Sequence, residues 1–205
     1  AFELLRLALT EPRFDEEPVE RIRSQIIARL SREAEDPDAI AGRTLRRLMF
    51  DGHPYARPTR GTEASIARIT VEDLRGFVAS RFGRDQLFVG VVGDITPDEL
   101  GRALDETFLA LPAAATPFAL PEATVAAAGE VVVIDKPIPQ SVVALGQDGI
   151  KRDDPDYYAA YVVNYILGGG GFNSRLVEEV REKRGLAYSV YAYLAPLDHG
   201  AMIGG

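Results

Sequence analysis

LGGGGFNSRLVEEVREKRGLAYSV, residues 167–190, is the stretch on which the reading of the fold turns. Ahead of it, Asp154 and Pro155 open a helical pattern carrying Tyr157, Tyr158, Tyr161, Val162, Tyr165 and Ile166, with the tyrosines expected in a helical core. The glycines from Gly168 to Gly171 interrupt that helix. Asn173 can cap a second helix, which is expected to end near Arg184 and Gly185. Residues 186–194 then read as a strand, with Tyr188, Val190 and Tyr193. A helix, a break, a second helix and a returning strand predict an α+β layer.

Working toward the N-terminus, residues 140–147 and 131–134 read as two further strands. Residues 113–128 are rich in Ala and Pro and read as a linker. The linker separates two regions, 1–112 and 129–205. In the first, helices are expected over residues 4–10, 15–35 and 36–50. Val19, Ile22, Ile26, Ile27 and Leu30 recur at helical spacing in the second of these. Asp15, Asp36, Thr62, Thr70 and Thr96 are candidate helix starts. Residues 87–92, Leu-Phe-Val-Gly-Val-Val, form a continuous apolar run and are expected to be a buried strand. Together these elements predict antiparallel sheets flanked by helices.

Composition narrows the function. The chain has 205 residues with 31 acidic and 23 basic side chains, a net charge of −8. That balance argues against a nucleic-acid partner, whose phosphates would be repelled. No run of about 18 uncharged apolar residues exists, so no transmembrane helix is expected. Cysteine is absent, which removes disulfides and thiolate metal sites. His53 and His199 stand alone, without a partner at the four-residue spacing that sets two ligands on one helix face. The glycine run lacks the Gly-Lys-Ser/Thr ending of a phosphate loop. The chain opens at Ala1 without an initiator methionine or a leader, and closes at Gly205 after an apolar run. It is expected to be an internal piece of a longer protein, and its compartment is not legible.

Four segments together resemble the insulinase/pitrilysin family of zinc metallopeptidases, in its bacterial branch related to processing peptidases. They are residues 14–23 (FDEEPVERIR), 52–62 (GHPYARPTRGT), 91–95 (VVGDI) and, most specifically, 167–190. The resemblance implies two similar α+β halves closing like a clamshell around a peptide. It places residues 1–112 in the rear part of the first half and 129–205 in the front part of the second. The family's His-x-x-Glu-His zinc motif is not in this chain and would precede it.

The resemblance also assigns roles. Glu20 matches the position of the third zinc ligand, relevant only if the upstream motif is intact; the competing reading is a glutamate favoured by the first turn of a helix. Arg181 and Tyr188 match an Arg/Tyr pair of the second half, catalytic and substrate-binding. A guanidinium holds a peptide carbonyl, and a phenol donates to a developing oxyanion. Arg184 is the competing cation. Gly168, Gly169 and Gly170 would form a flexible wall of the peptide chamber. The implied cofactor is zinc in the full assembly and none in this chain alone. The implied partners are a peptide or unfolded protein and a zinc-bearing subunit, in a homo- or heterodimer. The preferred reading is a fragment of a non-catalytic partner subunit that binds peptide through its Arg/Tyr surface. The alternative is a fragment of an active zinc endopeptidase.

Overall fold

Short polar side chains start four of the helices where the sequence places them, at Asp36, Thr62, Thr70 and Thr96. A computed structural model describes residues 2–126 and 129–205. Ala1, the start of the expected first region, and Ala127 and Ala128, the end of the expected linker, lie outside the described residues. Helix α1 spans Phe2–Thr10, α2 Glu16–Glu35 and α3 Pro37–Met49. The Asp36 carboxylate accepts the Ala39 N–H at 3.0 Å, and Pro37 fills a position that needs no donor. Capping boxes led by Thr62, Thr70 and Thr96 open α4 (Glu63–Arg68), α5 (Val71–Arg81) and α6 (Pro97–Phe108). Helix α7 covers Tyr157–Asn164.

The only strands among the described residues are β1 (Gly146–Asp148), β2 (Tyr193–Leu197) and β3 (Gly200–Gly204). They form one antiparallel sheet in the order β1-β3-β2, with Gly204 opposite both Gly146 and Tyr193. Helices with a small antiparallel sheet make the architecture α+β, as the sequence predicts. No helix of the described residues is long and apolar enough to cross a membrane.

By its contacts the chain divides into two compact units. The first comprises Ala1–Leu30 and Thr62–Ala119, the second Ser31–Gly61 and Leu120–Gly205. In the first unit, the Arg23 guanidinium donates to the carbonyls of Ile66 and Ile69 at the end of α4. Leu111 and Thr107 are buried there, and Thr107 donates to Ala103 O at 2.6 Å. In the second unit, Met49, Phe50 and Met202 form the core, with Leu45, Ala123, Val125 and Leu197 packed around them. Both histidines bear on residues 121–123 of this unit. His53 Nε2 donates to Pro121 O at 3.0 Å, while His199 Nδ1 lies 3.4 Å from a Glu122 carboxylate oxygen.

Several expected elements differ. Residues 87–92 and 131–134 belong to no ladder, and Phe88, Val92, Val131 and Val133 are largely exposed. An apolar run becomes a strand only when another run closes its backbone hydrogen bonds, and among the described residues none does so for these two. Of residues 140–147 only Gly146 and Gln147 belong to β1, and Leu145 beside them exchanges two backbone hydrogen bonds with Gly205, at 2.9 and 3.1 Å. Of the four tyrosines expected in a helical core, Tyr157 alone is buried; Tyr158, Tyr161 and Tyr165 are exposed because no described element covers that face. The strand expected over 186–194 begins at Tyr193, and Tyr188 sits at a bend before it.

Candidate functional site

The chain around the glycine run is wound wider than an α-helix. After α7 the backbone passes into a π-helical turn, Tyr165–Gly169, and Gly170 N–H closes it on Tyr165 O at 2.8 Å. A 3₁₀ turn, Gly171–Asn173, follows. The next helical turn is started by Ser174, not by Asn173. Ser174 is extended and buried; its carbonyl accepts the Glu178 N–H at 3.0 Å and its hydroxyl the Val177 N–H at 3.4 Å. An extended residue whose oxygens face the following N–H groups is what a cap requires, and Asn173 lies inside the 3₁₀ turn instead. Ser174→Ala should therefore lower stability by about 1 kcal/mol, read as a fall in the urea midpoint with unchanged slope.

Val177–Glu182 is again π-helical. It stops at Gly185, whose φ of 61° suits glycine and strains other residues. Gly185 N–H reaches Arg181 O at 2.9 Å and Leu186 N–H reaches Val180 O at 3.0 Å. The chain thus reverses directly after Arg181 and brings Tyr188 back beside it. The guanidinium carbon of Arg181 lies 5.2 Å from the Tyr188 ring centroid and 4.9 Å from that of Phe172. Both rings are mostly in solvent, at 88% and 77% exposure, whereas the Arg181 side chain is only 29% exposed. Its Nε lies 3.5 Å from Glu182, and among the described residues its terminal nitrogens make no hydrogen bond.

The neighbouring cations are fastened. Arg184 donates to both the carbonyl and the carboxylate of Glu179, at 2.5 and 2.8 Å. Lys183 lies 2.7 Å from the carboxylates of Glu178 and Glu179. The Lys183 hydrogen bond first, then that of Arg184, pulls the Glu179 carboxyl down to about 2. A carboxyl depressed in the folded state stabilises fully above its unfolded value and loses that contribution as pH falls toward the folded one. Glu179→Gln should accordingly flatten the acid limb of a plot of Tm against pH from about 4.5 downward, and the effect should be small because the pair is exposed.

Gly168 is buried against the returning chain; a Cβ there would stand 2.5 Å from Ala192 N. Gly169 and Gly170 sit beside the Asn164 amide and Tyr165 O, at 2.9 and 2.8 Å from where a Cβ would be. An open groove of about 270 Å³ runs here between Tyr161, Asn164, Tyr165, Gly169 and Ala192.

Glu20 lies exposed on α2 and pairs with Arg23 at 3.0 Å. Among the described residues no three His, Cys, Asp or Glu side chains come together to hold a metal. Glu20 could supply one carboxylate to a zinc ion, and no described residue completes the set. Phe172 was not singled out by the sequence. Its signal was its place between the glycine run and the helix, visible only once the chain folds back on Arg181.

Residues 68–203 match the family model described as the peptidase M16 inactive domain. An uncharacterised zinc protease of Streptomyces coelicolor is 35% identical over 191 residues, 90% of this chain and 41% of that protein. A non-peptidase homologue of Helicobacter pylori is 32% identical over 188 residues, 91% of this chain and 43% of that one. The crystal structure of a peptidase M16 inactive domain from Pseudomonas fluorescens superposes with a TM-score of 0.88 at 31% identity, covering 99% of this chain and 49% of its own. The chain therefore spans about two-fifths of the length of these curated relatives.

Proposed function

Because the chain belongs to the peptidase M16 inactive-domain family, we propose that it is part of a non-catalytic partner subunit of a zinc peptidase, binding peptide through Arg181 and Tyr188. One observation carries this reading: a guanidinium lies within 4.9 and 5.2 Å of two aromatic rings, with its terminal donors unused among the described residues. Such a group can take a peptide carbonyl with two parallel donors, and its orientation is set beforehand. The Tyr188 phenol, largely exposed beside it, can donate to the same peptide. Residues 1–112 and 129–205 would belong to two similar peptidase-like halves joined by 113–128. Zinc would reside in the assembly, on the partner subunit, and the partner would bring the hydrolytic centre to the peptide held here.

Two relatives favour different readings. One is a non-peptidase homologue, whereas the other is a zinc protease, which supports an active endopeptidase with Glu20 as one zinc ligand. Metal analysis of the full-length protein separates them. The non-catalytic reading expects well below one zinc per chain, unchanged in Glu20→Gln, and binding of an unfolded peptide without cleavage. One tightly held zinc that is lost in Glu20→Gln, together with peptide cleavage by the purified protein alone, would overturn it.

A further inference from the structure

Resting on the peptide-binding reading above, we propose that Phe172 is a third member of the Arg181/Tyr188 surface. It is a positioning residue for the guanidinium, and its exposed face takes a large apolar or aromatic side chain of the bound peptide. A solitary exposed phenylalanine is ordinary on a protein surface. Phe172 is set apart by its contact. One face lies 4.9 Å from the Arg181 guanidinium carbon, while 77% of the residue stays in solvent.

The rings are what orient this arginine. Arg184 is fixed by two hydrogen bonds to Glu179, whereas the polar contact of Arg181 among the described residues is the 3.5 Å approach to Glu182. A planar cation is attracted to aromatic faces at such distances, and two rings hold it where one would hold it less firmly. Phe172 is in turn held by the 3₁₀ turn, which Ser174 N–H closes on Gly171 O at 3.1 Å next to the buried Ser174. The platform is thus anchored at its base and open at its top.

The surroundings indicate the ligand's chemistry. Glu178 and Glu179 are paired with Lys183 and Arg184, so the nearby charges largely satisfy one another. The remaining surface offers donors on Arg181 and two apolar faces beside them. A peptide whose carbonyl meets those donors places an adjacent side chain within reach of the Phe172 ring. An aromatic or large aliphatic side chain gains from that contact, and an alanine or a carboxylate does not.

The test uses the full-length protein with a chelator present to suppress hydrolysis. Dye-labelled unfolded peptides, identical except for Phe, Leu, Ala or Glu at one position, are titrated by fluorescence anisotropy. The unaltered protein should bind the Phe peptide about 5- to 10-fold more tightly than the Ala peptide. Phe172→Ala should erase that preference, and Phe172→Tyr should keep it. Circular dichroism and a thermal melt check each variant, and Phe172→Leu replaces the alanine variant if the latter does not fold; it should shrink the Phe-over-Leu preference. Retention of the full preference in Phe172→Ala or Phe172→Leu, or an equal loss for every peptide, would overturn the role of Phe172. Should Arg181→Ala leave every affinity unchanged, the peptide-binding reading itself fails. Loss in Arg181→Ala with the preference intact in Phe172→Ala confines the failure to Phe172.

Discussion

Tyr188→Phe, assayed in the proposed assembly with a zinc-bearing subunit, should lower kcat by a hundredfold or more and leave the melting temperature where it was. The substitution removes one oxygen. The ring, 88% exposed and beside Arg181, stays in place as a partner for the guanidinium. If the phenol donates to the tetrahedral oxyanion, its loss costs roughly 2.7–4 kcal/mol of transition-state stabilisation, the usual range for such donors. Arg181→Ala should behave differently. A carbonyl clamp binds ground and transition states alike, so its loss raises KM more than it lowers kcat. The double variant should lose less than the sum if, as proposed, both groups act on one bound peptide. A structural role for Tyr188 forecasts something else: so exposed a phenol has little packing to lose, and turnover per folded molecule stays unchanged. Steady-state kinetics beside a melt of each variant decides. Unchanged kcat and KM in both single variants would end the functional claim for the pair.

The parts of this fold that were legible are those fixed by neighbours in sequence. Asp36, Thr62, Thr70 and Thr96 start helices because each meets an N–H three residues on, a relation that needs no tertiary partner. The stop at Gly185 is of the same kind. The strands were not legible as strands, because pairing is a property of two segments. Residues 87–92 carry an apolar run as convincing as that of β3, yet β3 has β1 and β2 on its two sides and residues 87–92 have no ladder among the described residues. Wide helical turns were also hidden. A π turn leaves no separate mark in apolar spacing, and the 3₁₀ turn that takes in Asn173 leaves the cap to Ser174. Of the candidate site, the spacing of Arg181 and Tyr188 across a glycine stop could be read directly. Which cation of the run 181–184 remains unfastened could not, since that depends on how Glu178 and Glu179 distribute themselves between Lys183 and Arg184.

Gly168→Ala should destabilise the protein by about 1–3 kcal/mol, and Gly101→Ala should do the reverse. Two opposing effects act at each position. Alanine favours a helix over glycine by up to about 1 kcal/mol, which on its own would stabilise both variants. At Gly101, inside α6, the added methyl meets nothing within 4 Å, so propensity prevails. At Gly168 the methyl would stand 2.5 Å from Ala192 N and 2.8 Å from both Ala192 Cβ and Leu176 Cδ1. Leu176 can rotate away. The Ala192 backbone cannot move alone, because Ala192 O accepts the Asn164 amide at 3.3 Å and β2 begins at the next residue. Relieving the clash therefore means shifting the edge of the sheet, and overpacking outweighs the propensity gain. Urea unfolding of the full-length protein should show the two midpoints moving apart with little change in slope. The two variants also bear on the proposal that the glycine run is a wall of a peptide chamber. A run kept for mobility would lose activity in Gly168→Ala at unchanged stability, whereas a run kept for close approach loses stability first. A Gly168→Ala protein that unfolds at the same urea concentration as the unaltered one would show that residues 191–193 yield to the methyl, and the glycine would then have to be explained by motion.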